Sequence, residues 1–261
     1  MNWEKYDIES CLQQGAAKAE IEGDFLQIMG DLLENLPPSR QKLNRSYLLS
    51  YSLFVNYFSD IKNITLSKFT LGIYMIYGWM PTALRFYGGK SLSQEEFVKL
   101  RKKLSEMQTW GEDHFDGVLP DGGDASKSDE GIEESLLLLQ SVTNGSIVGM
   151  SKLLHFINPK LFPIYDSNIA EVVGEVKDVG EYIEYVKAFQ FFKNKVLNGC
   201  EKGRFEEIRE KFESDCRGEF NGQASLVVTP IRAIELVLFQ VGKKVKDSKP
   251  KPPKGVRGGK K

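Results

Sequence analysis

Cysteine and histidine are scarce in this chain. Three cysteines, Cys11, Cys200 and Cys216, lie far apart in 261 residues. Their odd number and scatter suggest neither a disulfide framework nor metal ligands, and they point to a reducing compartment. The two histidines are His114 and His155. Without repeated spacing, Glu112-Asp113-His114-Phe115-Asp116 reads as a loop, and no metal site is expected. No apolar run approaches membrane-spanning length. Met1-Asn2-Trp3-Glu4-Lys5 lacks the basic-then-apolar pattern of a secretory leader. A cytoplasmic protein with no membrane partner is expected. Alternation of β-branched residues is nearly absent, and Ser225-Leu226-Val227-Val228 is the one strand candidate. No internal repeat is found.

What is present is helical periodicity in a chain that is 41% hydrophobic, enough for a sizeable core. Phe25, Ile28, Met29, Leu32, Leu33 and Leu36 share one face, closed by Pro37-Pro38. Tyr47, Tyr51, Phe54, Val55 and Phe58 share another. Thr65 to Trp79 is strongly apolar and aromatic, with Pro81 marking an end or a kink. Ser93-Gln94-Glu95-Glu96 matches a capping box before Phe97, Leu100, Leu104 and Met107. The stretch from Gly111 to Gly131 is rich in Asp, Gly, Ser and Pro and reads as a long loop or boundary. Further helices are expected near 132–142, 150–157, 168–176, 181–198, 202–215 and 230–242, the last opened by Thr229-Pro230. The expected fold is all-α. It has an N-terminal helical part (1–110), the 111–131 loop, a second helical part (132–242), and a disordered tail (243–261).

Charge is unevenly placed. Lys243 to Lys261 holds nine basic residues and one acid, Asp247, a net of +8, against −9 for the rest of the chain. The tail is rich in Pro, Gly and Lys and has almost nothing apolar to bury. It either solubilises the chain or adds attraction to a phosphate backbone. The acidic body excludes a broad nucleic-acid surface, so any DNA contact must be local.

The segment that carries most information is Phe162-Pro163-Ile164-Tyr165-Asp166-Ser167-Asn168-Ile169. It follows a turn and short helix, Asn144-Gly145-Ser146-Ile147-Val148-Gly149-Met150-Ser151-Lys152 and onward to Phe156. Together they resemble the hairpin and catalytic segment of the helix-hairpin-helix DNA glycosylase superfamily. The adenine-mismatch branch, with Phe-Pro-Ile-Leu-Asp-Gly-Asn-Val, is the most similar. Phe162, Pro163, Ile164, Asp166 and Asn168 carry the match. Ile147 stands where the family hairpin has its first glycine, and Gly149 fits the second. The connecting helix is about one turn shorter, and the four-cysteine cluster motif of several branches is absent, so no cofactor is expected.

The resemblance implies a helical glycosylase-like fold and a DNA N-glycosylase acting on double-stranded DNA with an extruded base. The base would be damaged, mismatched or hypermodified, the last as in phage DNA and phage defence. Asp166 would stabilise the positive charge that builds on the sugar, or activate water. Gly145, Ser146, Gly149, Ser151 and Lys152 would contact phosphate at a helix N-terminus. Lys152 stands closer to Asp166 along the chain than a lyase lysine does. Phosphate contact and a monofunctional enzyme are therefore expected, with a Schiff-base role for Lys152 as the alternative. Tyr77, Trp79, Met80, His155 and Tyr165 are candidates for the base pocket or wedge. Simpler readings stand beside these. Asp166 caps the following helix, His155 is a satisfied core histidine, the aromatic stripe is core, and Arg232 with Glu235 is a structural pair. The competing functions are a non-catalytic helical DNA-binding module and an all-helical interaction protein.

Overall fold

The computed structural model describes residues 3–36, 42–78, 93–111, 133–140, 143, 145–219 and 227–250, with the backbone alone at 3–4, 42–49, 77–78 and 218–219. The described residues are helical, and no strand occurs among them. A 3-10 turn (Trp3–Tyr6) precedes α1 (Ile8–Lys18), α2 (Phe25–Glu34) and α3 (Lys42–Phe58). A second 3-10 turn (Ile61–Asn63) leads to α4 (Leu66–Gly78) and α5 (Gln94–Thr109). A helical run covers 133–140. Then come α6 (Ile147–Ile157), α7 (Ala170–Val173), α8 (Val179–Asn198), α9 (Lys202–Glu219) and α10 (Pro230–Ser248). No described helix is long and apolar enough to cross a membrane.

Local chemistry explains where the helices start. Asp7, Asp24, Ser146, Asp178 and Thr229 each accept a backbone N–H from the first turn, which satisfies one otherwise orphaned donor. The capping box at Ser93 forms as expected: its hydroxyl accepts from Glu96 N, and the Glu96 carboxylate accepts from Ser93 N. The apolar faces read from the sequence are buried, including Phe25, Ile28, Met29, Leu32 and Leu33 on α2 and Phe97, Leu100, Leu104 and Met107 on α5.

The helices do not pack in chain order. α1 lies against α7 and α10, and α2 against α9 and α10, so the first two helices belong with the last ones. α3, α4 and α5 pack on α6. The expected division into 1–110 and 132–242 is therefore not a spatial one, since helices from both parts share one core. The loop expected at 111–131 lies outside the described residues except Gly111. The C-terminal boundary also differs. α10 continues to Ser248 because Val245 extends its apolar face and is buried, so the first six residues of the expected disordered tail are helical. In the strand candidate, Val227 and Val228 form no strand, and Ser225 and Leu226 lie outside the described residues. Instead, Arg209 donates to Val228 O (2.7 Å), and the Glu213 carboxylate accepts from Val228 N (3.1 Å).

Candidate functional site

The Phe162–Ile169 segment leaves α6 as extended chain, which has no helical partners for its own backbone. Side chains from three flanking helices supply them. Leu161 O accepts from Gln190 Nε2 (2.5 Å), and Phe162 O from His155 Nδ1 (2.7 Å). Pro163 O accepts from Tyr182 Oη (2.9 Å), Ile164 O from Tyr185 Oη (3.0 Å), and Tyr165 O from Ser151 Oγ (3.1 Å). Tyr165 N donates back to Ser151 Oγ (3.0 Å), and Ile164 N donates to the Glu235 carboxylate of α10. Five consecutive carbonyls are thus fixed by α6 and α8. Side chains thus do for this segment what neighbouring strands do in a sheet, and Asp166 follows directly after it.

Behind this segment lies a buried polar set. His155, fully buried on α6, has two acceptors at Nδ1: Phe162 O and Glu235 Oε1 (3.2 Å). Nδ1 therefore carries a proton, and in the neutral ring Nε2 accepts from Tyr51 Oη (2.9 Å). Burial pushes the Tyr51 phenol well above its usual range, which keeps it a donor. Glu235 is also fully buried, and its second oxygen accepts from Arg232 Nη1 (3.0 Å). The Arg232 guanidinium also lies over the Tyr51 ring, 4.7 Å from its centroid. The pairing of Arg232 with Glu235 is as expected from their spacing, but the pair is also part of the clamp on Ile164.

Asp166 itself is half-buried. Its Oδ1 accepts from Asn168 N (2.9 Å) and Ile169 N (3.1 Å), and its carbonyl accepts from Ala170 N (2.9 Å). It therefore caps the turn that leads into α7, as its sequence context suggested. Both side-chain bonds engage Oδ1 and leave Oδ2 outside them.

The structure places the other expected site residues differently. Lys152 is buried at 6% exposure on α6, so it is not a surface phosphate contact. Burial lowers its pKa from 10.5 to about 8, partly opposed by the negative charge of Asp166 and reinforced by Arg232. The charge of Asp166 is thus felt at Lys152, although Lys152 stands closer to it along the chain than a lyase lysine would. Ser151 is fully buried, and its hydroxyl serves Tyr165 and Val148 O (3.0 Å), so it is no phosphate ligand either. Gly149 is buried, its N–H is taken by Ser146 Oγ (3.1 Å), and a Cβ there would sit 3.3 Å from Thr143 Cβ. Its glycine serves packing. Gly145 is exposed with φ +74°, and Ser146 is half-buried, so these two remain at the surface.

His155 is the satisfied core histidine and no pocket wall. Tyr165 is 5% exposed, and its hydroxyl donates to Gly174 O (3.2 Å) and accepts from Val176 N (2.9 Å), so it too is framework. Trp79 and Met80 lie outside the described residues, as does the side chain of Tyr77. A groove of about 330 Å³ lies between α2 and α9, lined by residues such as Leu26, Ile208, Lys211 and Phe212, and shares no residue with this site.

Sequence reasoning missed Tyr182, Tyr185, Gln190 and Gly242. A glycine inside a helix costs about 1 kcal/mol relative to alanine, so its presence signals a close approach. Gly242 fits that rule. A Cβ there would lie 1.9 Å from Asn168 O, so α10 can touch the Asp166 turn only without a side chain at this position. Gly242→Ala is expected to force α10 and the turn apart and to cost about 1–3 kcal/mol. Urea unfolding reads this directly, and an unchanged midpoint would show that the approach is looser. Compared with protein-family models, with curated proteins and with solved structures, the chain matches none of them.

Proposed function

We propose that this chain is a DNA N-glycosylase of the helix-hairpin-helix class, cleaving the base–sugar bond of a damaged, mismatched or hypermodified nucleotide. The observation that supports the reading best is the Asp166 carboxylate. It sits at the end of a clamped segment, is oriented by two backbone N–H groups, and has the buried Lys152 amine within its field. As the base departs, positive charge builds at C1′. A fixed carboxylate stabilises that charge and accepts a proton from the water that attacks. The test is incubation with duplexes carrying varied modified bases, followed by alkaline cleavage of abasic sites. The native protein is expected to produce them and Asp166→Asn is expected not to. A fully active Asp166→Asn, or no abasic site on any substrate, ends the proposal.

Lys152 enters the chemistry on this reading. With a pKa of about 8, roughly a tenth of its amine is unprotonated at pH 7, as an imine with the sugar requires. Spacing along the chain argues for a monofunctional enzyme, and a reacting amine requires bound DNA to open a path to Lys152, which is buried. Borohydride is expected to trap a covalent protein–DNA adduct that Lys152→Gln abolishes. Abasic sites without an adduct would restore the monofunctional reading and leave Lys152 an electrostatic role.

A second reading, the non-catalytic DNA-binding module, is favoured by one observation. Asp166 Oδ1 is engaged as a cap. DNA binding without excision in the same assay would select it.

A further inference from the structure

We propose that the basic end of α10 is the surface that grips the DNA phosphate backbone beside Asp166. The identity of the partner rests on the glycosylase reading, whereas the location rests on the geometry alone. Gly242 brings α10 against Asn168 O, and the helix then runs on past the Asp166 turn. Lys246 Nζ donates to Ser167 Oγ (3.3 Å), and Lys249 pairs with Glu171 at the start of α7. The last two turns of α10 are therefore docked on the turn that holds Asp166.

The helix is amphipathic at this end. Val241 and Val245 are buried and hold it down, which leaves Lys243, Lys244, Lys246 and Lys249 exposed. From Lys243 to Lys249 this end carries four lysines and one acid, Asp247, a net of +3 on a body of net −9. An acidic body disfavours a polyanion over most of its surface, so a basic segment anchored on it marks where one would settle. The hairpin brings no charge to this task, because Lys152 is buried and the two residues it leaves at the surface, Gly145 and Ser146, are uncharged. A lipid surface fits less well, because the exposed side carries lysines and no apolar stripe to insert. The binding chemistry is that of a row of ammonium groups tracking phosphates, independent of base sequence, which delivers a strand to the turn that holds Asp166.

The test uses the full chain and a fluorescein-labelled duplex carrying an abasic-site analogue, so that binding is read without excision. Affinity is measured by anisotropy over a range of salt. Lys243, Lys244 and Lys246 are changed together to Gln, which keeps helix propensity. A control changes Lys99, Lys102 and Lys103 of α5, also exposed, by the same charge. Each phosphate contact contributes about 0.9 to the slope of log affinity against log salt. The α10 variant is expected to lose tenfold or more in affinity at low salt and up to about 2.7 in slope. The α5 control is expected to keep its slope. An α10 variant that behaves like the control overturns the proposal, as does binding to phosphatidylserine vesicles with none to duplex. The two proposals fail separately. Lysine-dependent duplex binding without excision on any substrate removes the glycosylase reading and leaves this surface standing. Excision with unchanged binding in the α10 variant does the reverse.

Discussion

Replacing Lys152 with methionine is expected to make the protein more stable at pH 7 and, on the glycosylase reading with a reacting amine, inactive on DNA. The stability gain follows from burial. Lys152 is 6% exposed, and desolvation is the largest cause of its lowered pKa. A fall from 10.5 to about 8 corresponds to about 3 kcal/mol of cost for keeping the charge in the fold. The sign is opposite to that of an ordinary surface lysine. The unfolded chain binds the proton more tightly, so the cost is full below about pH 8. It fades between pH 8 and 10.5 as the folded amine loses its charge. Methionine fills a similar volume without charge, and Asp166 keeps its two backbone donors. For a chain of this size, about 3 kcal/mol raises the melting temperature by roughly 6–12 °C. The difference between variant and native protein should shrink as pH rises from 8 towards 10. A variant less stable than the native protein at pH 7 would show that the interactions of Lys152 outweigh its burial. A more stable variant that still excises bases would remove Lys152 from the reaction. Stability gained together with activity lost is the mark of a residue retained for function.

The second large effect is expected at Glu235. Glu235→Leu should cost about 3–5 kcal/mol, because it leaves the buried Ile164 N–H without its acceptor and breaks the ion pair with Arg232. His155 Nδ1 keeps Phe162 O as its acceptor. Glu235→Gln keeps a carbonyl oxygen for Ile164 and should lose much less. Urea titrations with an unchanged slope would measure both. A leucine variant within 1 kcal/mol of the native protein would mean that the clamp on Ile164 contributes little. The two variants also separate fold from chemistry. On the glycosylase reading, Glu235→Gln is expected to weaken excision through a displaced Asp166 while still folding. Glu235 is thus a positioning residue, acting through the segment that ends at Asp166.

Some of this was visible in the chain and some was not. The capping box at Ser93, the Thr229-Pro230 start and the buried faces of α2 and α5 follow from rules that act within one or two turns, so local sequence is enough to state them. The capping role of Asp166 and the pairing of Arg232 with Glu235 are local in the same way. The failures all involve burial. Ser151 and Lys152 read as phosphate ligands because they open a helix after a glycine turn, a position that is usually exposed. Here α6 is packed on by α3, α4 and α5 and covered by the 161–165 segment, and its first turns are enclosed. The extent of α10 was misjudged for the opposite reason. A run of lysines looks like a tail until Val245 is seen to pack.

The sequence by itself determined the helical class, where most helices begin, and that Asp166 would stand at the start of a turn. Those properties depend on hydrogen bonds and side-chain spacing within a few residues. Only the tertiary structure decided what surrounds Asp166. It brought Gln190, Tyr182 and Tyr185 onto successive carbonyls, set Glu235 under Ile164, put Lys152 within the field of Asp166, and docked the lysines of α10 beside the turn. Each of these contacts joins residues brought together by packing, and burial, which sets their charges and their reach, exists only once the core has closed.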